Sequence, residues 1–284
     1  MDATIAMLSP WQVFQDNMRP AQLLLNVFNL LNSDDKILSE GEMVAALRDL
    51  IKASDEEDLM VIYNPIFLGL VREGARLPRA DLRRNALCGL LRQAVVASCT
   101  ALETYLPALL GANLSVVIKA RGRDSVPKDD PDIAAQFKEL KFSLDEGLRI
   151  MTMPNPEEFI STKILGAVNF SYLSGSRGVA VVGKLLGIAD PWQSIAQRLE
   201  GDAEALQKMV KDTVGRRNDI VHRADRRQSD PGGKQQIINP SWAKQAVDTI
   251  ANVCKALDEL VSSAVAEARG DTSEDTATNE QDAT

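Results

Sequence analysis

The only histidine of the chain, His222, stands in the run Gly215-Arg216-Arg217-Asn218-Asp219-Ile220-Val221-His222-Arg223-Ala224-Asp225-Arg226-Arg227, where five arginines fall within twelve residues. A single imidazole excludes any zinc site built on several histidines, and any mechanism that needs an imidazole must use this one. The guanidinium groups around it make a local cationic field suited to a phosphodiester. On a helix, Val210, Val214, Arg217 and Val221 share one stripe, and Asn218, His222 and Arg226 line up beside it at i, i+4 and i+8. Arg217 then interrupts an apolar face, and a guanidinium is not placed there without a partner. Glu103, on a line with Val96, Cys99 and Leu106, interrupts a second such face, so a Glu103–Arg217 contact would satisfy both charges. Two readings stay open on these residues alone. One is an imidazole–guanidinium site acting on phosphate; the other is a structural salt bridge with His222 capping a helix end.

Other motifs carry less chemistry. Residues Gly178 to Lys184, GVAVVGK, match seven positions of the phosphate-cradling loop G-x-x-x-x-G-K-[ST], but Leu185 stands where a hydroxyl should meet magnesium. Four apolar residues also replace the exposed backbone of such a loop, so a buried helix capped near Gly187, before Pro191, is expected instead. Asp124, Asp129, Asp130 and Asp132 lack the ordered ligand alternation of a calcium loop and read as a solvated loop. Cys88, Cys99 and Cys254 lie in apolar, helix-like text far from any C-x-x-C spacing, as reduced core thiols do. No metal and no cofactor are expected.

The elements that must position these residues read as helical nearly everywhere. At 284 residues, with 45% hydrophobic and 25% charged residues, the chain is long enough for a real core. Its net charge is −8, of which Asp271, Glu274, Asp275, Glu280 and Asp282 supply five, so the body lies near −3 and carries no global basic field. The expected fold is all-α, in three parts: an N-terminal helical region of unknown role over 1–80, a helical domain over 81–268 and a disordered acidic tail over 269–284. Helices are expected near Pro20–Leu31, Ser39–Ser54 (with Ser39 and Glu42 at capping-box spacing) and Leu59–Glu73. A long spine follows from Asp81 to about Leu106, where Pro107 should stop or kink it. Its stripe of Leu87, Leu90, Leu91, Ala94, Val95, Leu102 and Tyr105 carries Ser98 as its only polar residue. Further helical text covers Ile133–Leu144, Glu157–Val168, Val179–Ile188, Trp192–Glu200, Asp202–His222 and Ser241–Ala266, while Ser115–Lys119 is a strand-like fragment too short to seed a sheet. The start MDATIAMLSP has no basic region before an apolar run, and Lys163 to Asp190 is broken by charges and glycines. Neither export nor a membrane span is expected, which points to the cytoplasm.

Arg217-Asn218-Asp219-Ile220-Val221-His222 is R-x4-H with a polar residue directly after the arginine, near a helix end. This resembles the HEPN superfamily, and Ala101-Leu102-Glu103-Thr104-Tyr105-Leu106 resembles the acidic and aromatic signature of the first core helix in its RiboL-PSP branch. The resemblance spans about Asp81 to Ala266 and implies a HEPN-type helical bundle with an N-terminal extension. It also implies a metal-independent endoribonuclease of the toxin or antiphage kind, with RNA as substrate. In that reading a homodimer brings two motifs into one cleft, and an antitoxin or defence-system protein is a further partner. His222 would act as general base or acid, Arg217 would stabilise the phosphorane, Asn218 would orient the scissile group and Glu103 would fix Arg217. Arg216, Arg223, Arg226 and Arg227 are the expected RNA contacts. Ala224 stands where some members carry a modifiable tyrosine, so that form of control is not expected. The alternative is a non-catalytic HEPN-type module for RNA binding or assembly.

Overall fold

The structure, a computed structural model, describes residues 8–32, 42–54, 59–64, 67–72, 84–125, 131, 133, 140–167 and 173–270. The fold is all-α: α1 (Pro10–Leu31), α2 (Glu42–Ile51), α3 (Arg84–Arg121), a 3-10 turn (Gly122–Ser125), α4 (Leu144–Thr152), α5 (Pro156–Ala167), α6 (Gly175–Leu185), α7 (Pro191–Arg198), α8 (Ala203–Arg223) and α9 (Pro240–Arg269). The one departure among the described residues is a hairpin between α2 and α3. Strands β1 (Leu59–Asn64) and β2 (Phe67–Arg72) pair antiparallel, with Leu59 opposite Arg72 and Asn64 opposite Phe67. The helix expected over Leu59–Glu73 is therefore wrong. Val61, Ile62 and Tyr63 favour a pleated backbone, and Asn64-Pro65 is a turn signal between two short apolar runs.

Local chemistry explains several boundaries. α1 starts ten residues before its expected first turn because Ser9 and Gln12 form a reciprocal cap, Gln12 N–H to Ser9 Oγ at 3.2 Å and Ser9 N–H to Gln12 Oε1 at 2.9 Å, with Pro10 at the first helical position. Phe14, Met18, Ala21, Leu25 and Phe28 form its buried stripe. Ser143 opens α4 by the same device with Glu146, at the point where the sequence pattern ends a helix; residues 140–143 are not helical and 134–139 lie outside the described residues. Ser39, the expected boundary near residue 80 and the acidic tail from 271 onward also lie outside them.

Pro107 does not stop the spine. α3 runs through it for 38 residues and absorbs Ser115–Lys119. An interior proline removes the N–H for the carbonyl four residues back and costs about 3 kcal/mol. Leu102, Leu106, Leu109 and Leu110, on either side of it, are at most 2% exposed. Burying each contributes about 1.5–3 kcal/mol, which outweighs the proline. By length and composition Ala86–Arg121 could also cross a membrane, with a mean hydropathy of 1.4 in its most apolar window, half of which is buried. A core helix packed on most sides has the same composition.

The chain divides into two compact units, Met1–Phe14 with Leu102–Lys211 and Asn252–Thr284, and Gln15–Ala101 with Asp212–Ala251. In the first, Tyr105 is fully buried against Trp11 and Phe14, with ring centroids at 6.3 and 5.2 Å. Its hydroxyl donates to Asp258 Oδ1 at 2.8 Å. The phosphate-loop look-alike lies inside α6, as the buried-helix expectation has it. A Cβ on Gly178 would land 2.1 Å from the Leu173 carbonyl oxygen, and one on Gly183 2.6 Å from the Pro191 ring. These glycines admit neighbours rather than phosphate. The second unit holds the Arg217–His222 segment.

Burial pushes the Asp258 carboxyl above its ordinary range, against the hydrogen bond from Tyr105, which lowers it; neighbouring Glu259 raises it further. The folded state thus holds this proton more tightly than the unfolded chain. The group's contribution to stability is complete below the usual Asp range and is lost as pH rises through the raised value. Asp258→Asn keeps an acceptor for Tyr105 without a charge, so its melting temperature is expected to exceed that of wild type at pH 7. The gain should shrink toward pH 3, and an equal gain at both pH values would contradict this account.

Candidate functional site

The last three turns of α8 carry the motif. Val210 and Thr213 are fully buried and Ile220 is 8% exposed, whereas Val221 is 51% exposed. The buried line therefore runs through Ile220, not through Val214 and Val221 as the stripe predicts. Arg217 and Asn218 are half-buried and His222 faces solvent. Sequence spacing places Val221 and Ile220 almost equally well on an apolar face, and packing within the second unit selects Ile220.

Arg217 Nη1 donates to Asn218 Oδ1 at 3.0 Å. Arg217 also donates to the thiol of Cys99 on α3, which burial pushes up to about 11 while Arg217 and Ser98 pull it down. The thiol stays neutral at physiological pH, so it fixes the guanidinium without cancelling its charge. Glu103 is half-buried one turn beyond Cys99 on α3 and falls in the other unit.

The helix ends in two consecutive left-handed residues that are not glycine, Ala224 (φ 48°) and Asp225 (φ 62°). This turn drives the Asp225 side chain back beneath the helix, where it is fully buried. Arg216 Nη2 donates to Oδ2 at 3.0 Å and its Nε lies 2.6 Å from Oδ1 as an ion contact without a hydrogen bond, while Arg92 Nε from α3 donates to Oδ2 at 2.6 Å. The second guanidinium leaves donors to spare, and Arg92 Nη2 directs one to the Gln236 carbonyl at 2.9 Å. The returning chain is tied on by Gln236 N–H to the Asp225 carbonyl at 2.8 Å and Gln235 Nε2 to the Ala224 carbonyl at 3.2 Å. Arg216 also lies over the Trp242 ring, 5.8 Å from its centroid.

The arginines expected on RNA thus divide. Arg216 is committed to Asp225, Arg223 pairs with Asp219, and Arg226 Nε donates to the Gly233 carbonyl at 2.8 Å. Arg227 is exposed. Sequence reasoning misses Arg92 and Gln236 altogether, and it misses Cys99 as a neighbour of Arg217. The available signal is an arginine inside the apolar spine: Arg92 and Cys99 are seven residues apart, two turns of one helix line. No group of three His, Cys, Asp or Glu side chains placed to hold a metal occurs among the described residues.

No protein-family model, no curated protein and no solved structure matches the chain.

Asp225→Asn should strand two half-buried guanidinium groups around a fully buried position and destabilise the fold by about 3–5 kcal/mol in chemical denaturation, while Arg92→Met, which leaves Arg216 on Asp225, should cost less. Ala224→Gly should instead stabilise by about 0.5–1 kcal/mol, because a left-handed backbone strains alanine and not glycine. A destabilised Ala224→Gly would refute the strain at this turn.

Proposed function

We propose that this chain is a metal-independent endoribonuclease of HEPN type, acting as a toxin-like or antiphage effector. The observation that carries the reading is that the sole imidazole faces solvent one turn from a half-buried Arg217–Asn218 pair. A proton-transfer group and a charged guanidinium held by a neutral thiol are what attack by a ribose 2′-hydroxyl on the adjacent phosphate requires. His222 takes the 2′-hydroxyl proton, the 2′-oxygen bonds phosphorus, Arg217 balances the phosphorane charge and Asn218 orients the phosphate. The 5′-oxygen then leaves with a proton, giving a 2′,3′-cyclic phosphate and a 5′-hydroxyl.

Cleavage is expected to survive EDTA and to leave cyclic phosphate ends. His222→Ala and Arg217→Ala should each lower the rate by at least about 100-fold, with the His222 variant keeping its helicity and melting temperature. Cleavage only with added divalent cation, or a fully active His222 variant, would overturn the assignment. A protein that binds RNA tightly and never cuts it would favour the alternative, a non-catalytic module for RNA binding or assembly.

One chain holds one imidazole, whereas attack and departure call for a base and an acid, so the working form in this reading is a homodimer whose second His222 supplies the other proton transfer. Light scattering should give about twice the 31.0 kDa chain mass. Coexpressed Arg217→Ala and His222→Ala chains, each inactive alone, should recover part of the activity. Full activity in a monomeric wild type would refute the shared cleft.

A further inference from the structure

The loop that follows the motif forms a pocket of about 620 Å³, lined by Arg216, Arg227, Asp230, Lys234, Gln235 and Ile237 among others. Its volume lies within the roughly 300–1,000 Å³ of sites that enclose a small ligand. Successive turns fix its wall: Asp230 N–H donates to the Arg227 carbonyl at 3.0 Å and Gly233 N–H to the Asp230 carbonyl at 3.2 Å. A Cβ on Gly233 would lie 2.0 Å from Asp230 Oδ2, so the Asp230 carboxylate rests directly on the glycine. Arg226 and Gln235 tie this wall to the end of α8.

Arg216 is occupied by Asp225, which leaves Arg227 and Lys234 as the exposed cations of the pocket, and neither makes an ion pair among the described residues. Ile237 is 93% exposed beside them, because Ile238, 4% exposed, takes the inward position and strand-like alternation turns Ile237 out. Two cations alone would suit any anion, and an aliphatic side chain alone any apolar group. Both in one pocket suit a ligand that repeats charge and flat apolar surface along its length. Arg227 follows His222 by five residues, so their Cα atoms lie within about 18 Å.

We propose that this pocket is a nucleotide subsite for an unpaired strand, in which Arg227 and Lys234 hold a phosphate next to the one attacked at the motif and Ile237 packs on the intervening base. The proposal deepens the nuclease reading and rests on it for its place beside the scissile phosphate. A base can reach Ile237 only when it is unstacked and unpaired, so the subsite selects single strands.

The test uses full-length protein and a fluorescein-labelled twelve-residue oligodeoxythymidylate, which lacks the 2′-hydroxyl and so reports binding without cleavage. Arg227→Ala/Lys234→Ala should weaken binding at least tenfold and reduce the slope of log affinity against log salt by about 1.4, or about 0.7 for each phosphate charge the variant no longer neutralises. Ile237→Ala should weaken it about threefold without changing that slope. An unlabelled duplex of the same length should compete poorly. Wild-type affinity and slope in these variants, no binding by wild type, or equal competition by duplex overturns the subsite. RNA cleavage separates the two readings. If the double variant cuts RNA with unchanged KM, the subsite falls and the nuclease stands. If the variants lose oligonucleotide binding while the wild type cuts no RNA, the nuclease reading falls and the pocket remains a strand-binding site.

Discussion

The buried Asp225 carboxylate is the constraint on which the candidate site depends. It draws one guanidinium from α3, another from α8 and the returning loop onto a single point that water does not reach. An unpaired charge there would cost several kcal/mol, so the three segments cannot separate independently. Exposed pairs such as Arg198–Glu259 and Lys244–Asp248 contribute about 0–1 kcal/mol each, because water and salt compete for both partners. The orientation of the last turns of α8, and with it the outward position of His222, follows from the buried ion cluster rather than from the surface pairs. The left-handed turn at Ala224 and Asp225 is the backbone cost of bringing that carboxylate inside.

The cluster also sorts five arginines that are chemically identical in sequence. Arg216 lies where it must neutralise Asp225 and stack on Trp242, and Arg223 faces Asp219 one turn away. Arg217, one residue from Arg216 and therefore rotated by about 100°, meets a thiol that burial keeps protonated. A thiolate there would have cancelled its charge; a neutral sulfur accepts the hydrogen bond and leaves the field of the guanidinium in place. The difference between an arginine set on a carboxylate and one set on a neutral thiol is thus one step of helix rotation together with the burial of Cys99.

Much of the fold is legible in the sequence because helical periodicity is strong: the buried stripe of the spine, and the reading of GVAVVGK as a packed helix, follow from spacing and from the absent hydroxyl at Leu185. What escapes is decided by tertiary burial. Pro107 breaks an isolated helix but not one whose flanking leucines are sealed, and Val221 gives way to Ile220 because packing chooses between two faces one step apart. The strand pair 59–64 and 67–72 escapes for a different reason: runs of six residues are too short for periodicity to separate strand from helix, and the Asn-Pro dipeptide between them is the better sequence signal. At the site, Arg217, Asn218 and His222 are legible from one helix repeat. Arg92 is not, since its partner Asp225 lies 133 residues away and nothing local marks the pairing.

That long-range pairing bears on what holds the last turn of α8 in place. Helix ends fray because their last carbonyls lack partners, and His222 occupies the final turn of α8. Here the end is closed from outside. The Asp225 N–H reaches back to the Asp219 carbonyl at 2.8 Å, while the Asp219 carboxylate accepts from Arg223 and, at 3.3 Å, from Gln236. Each bond contributes only about 1 kcal/mol, yet they share residues with the buried cluster, so fraying the turn would have to break the cluster as well. In the proposed nuclease reading the imidazole needs both solvent access and a fixed position, and those requirements usually oppose each other. Placing the imidazole outside and its restraint a few residues later, inside, reconciles them.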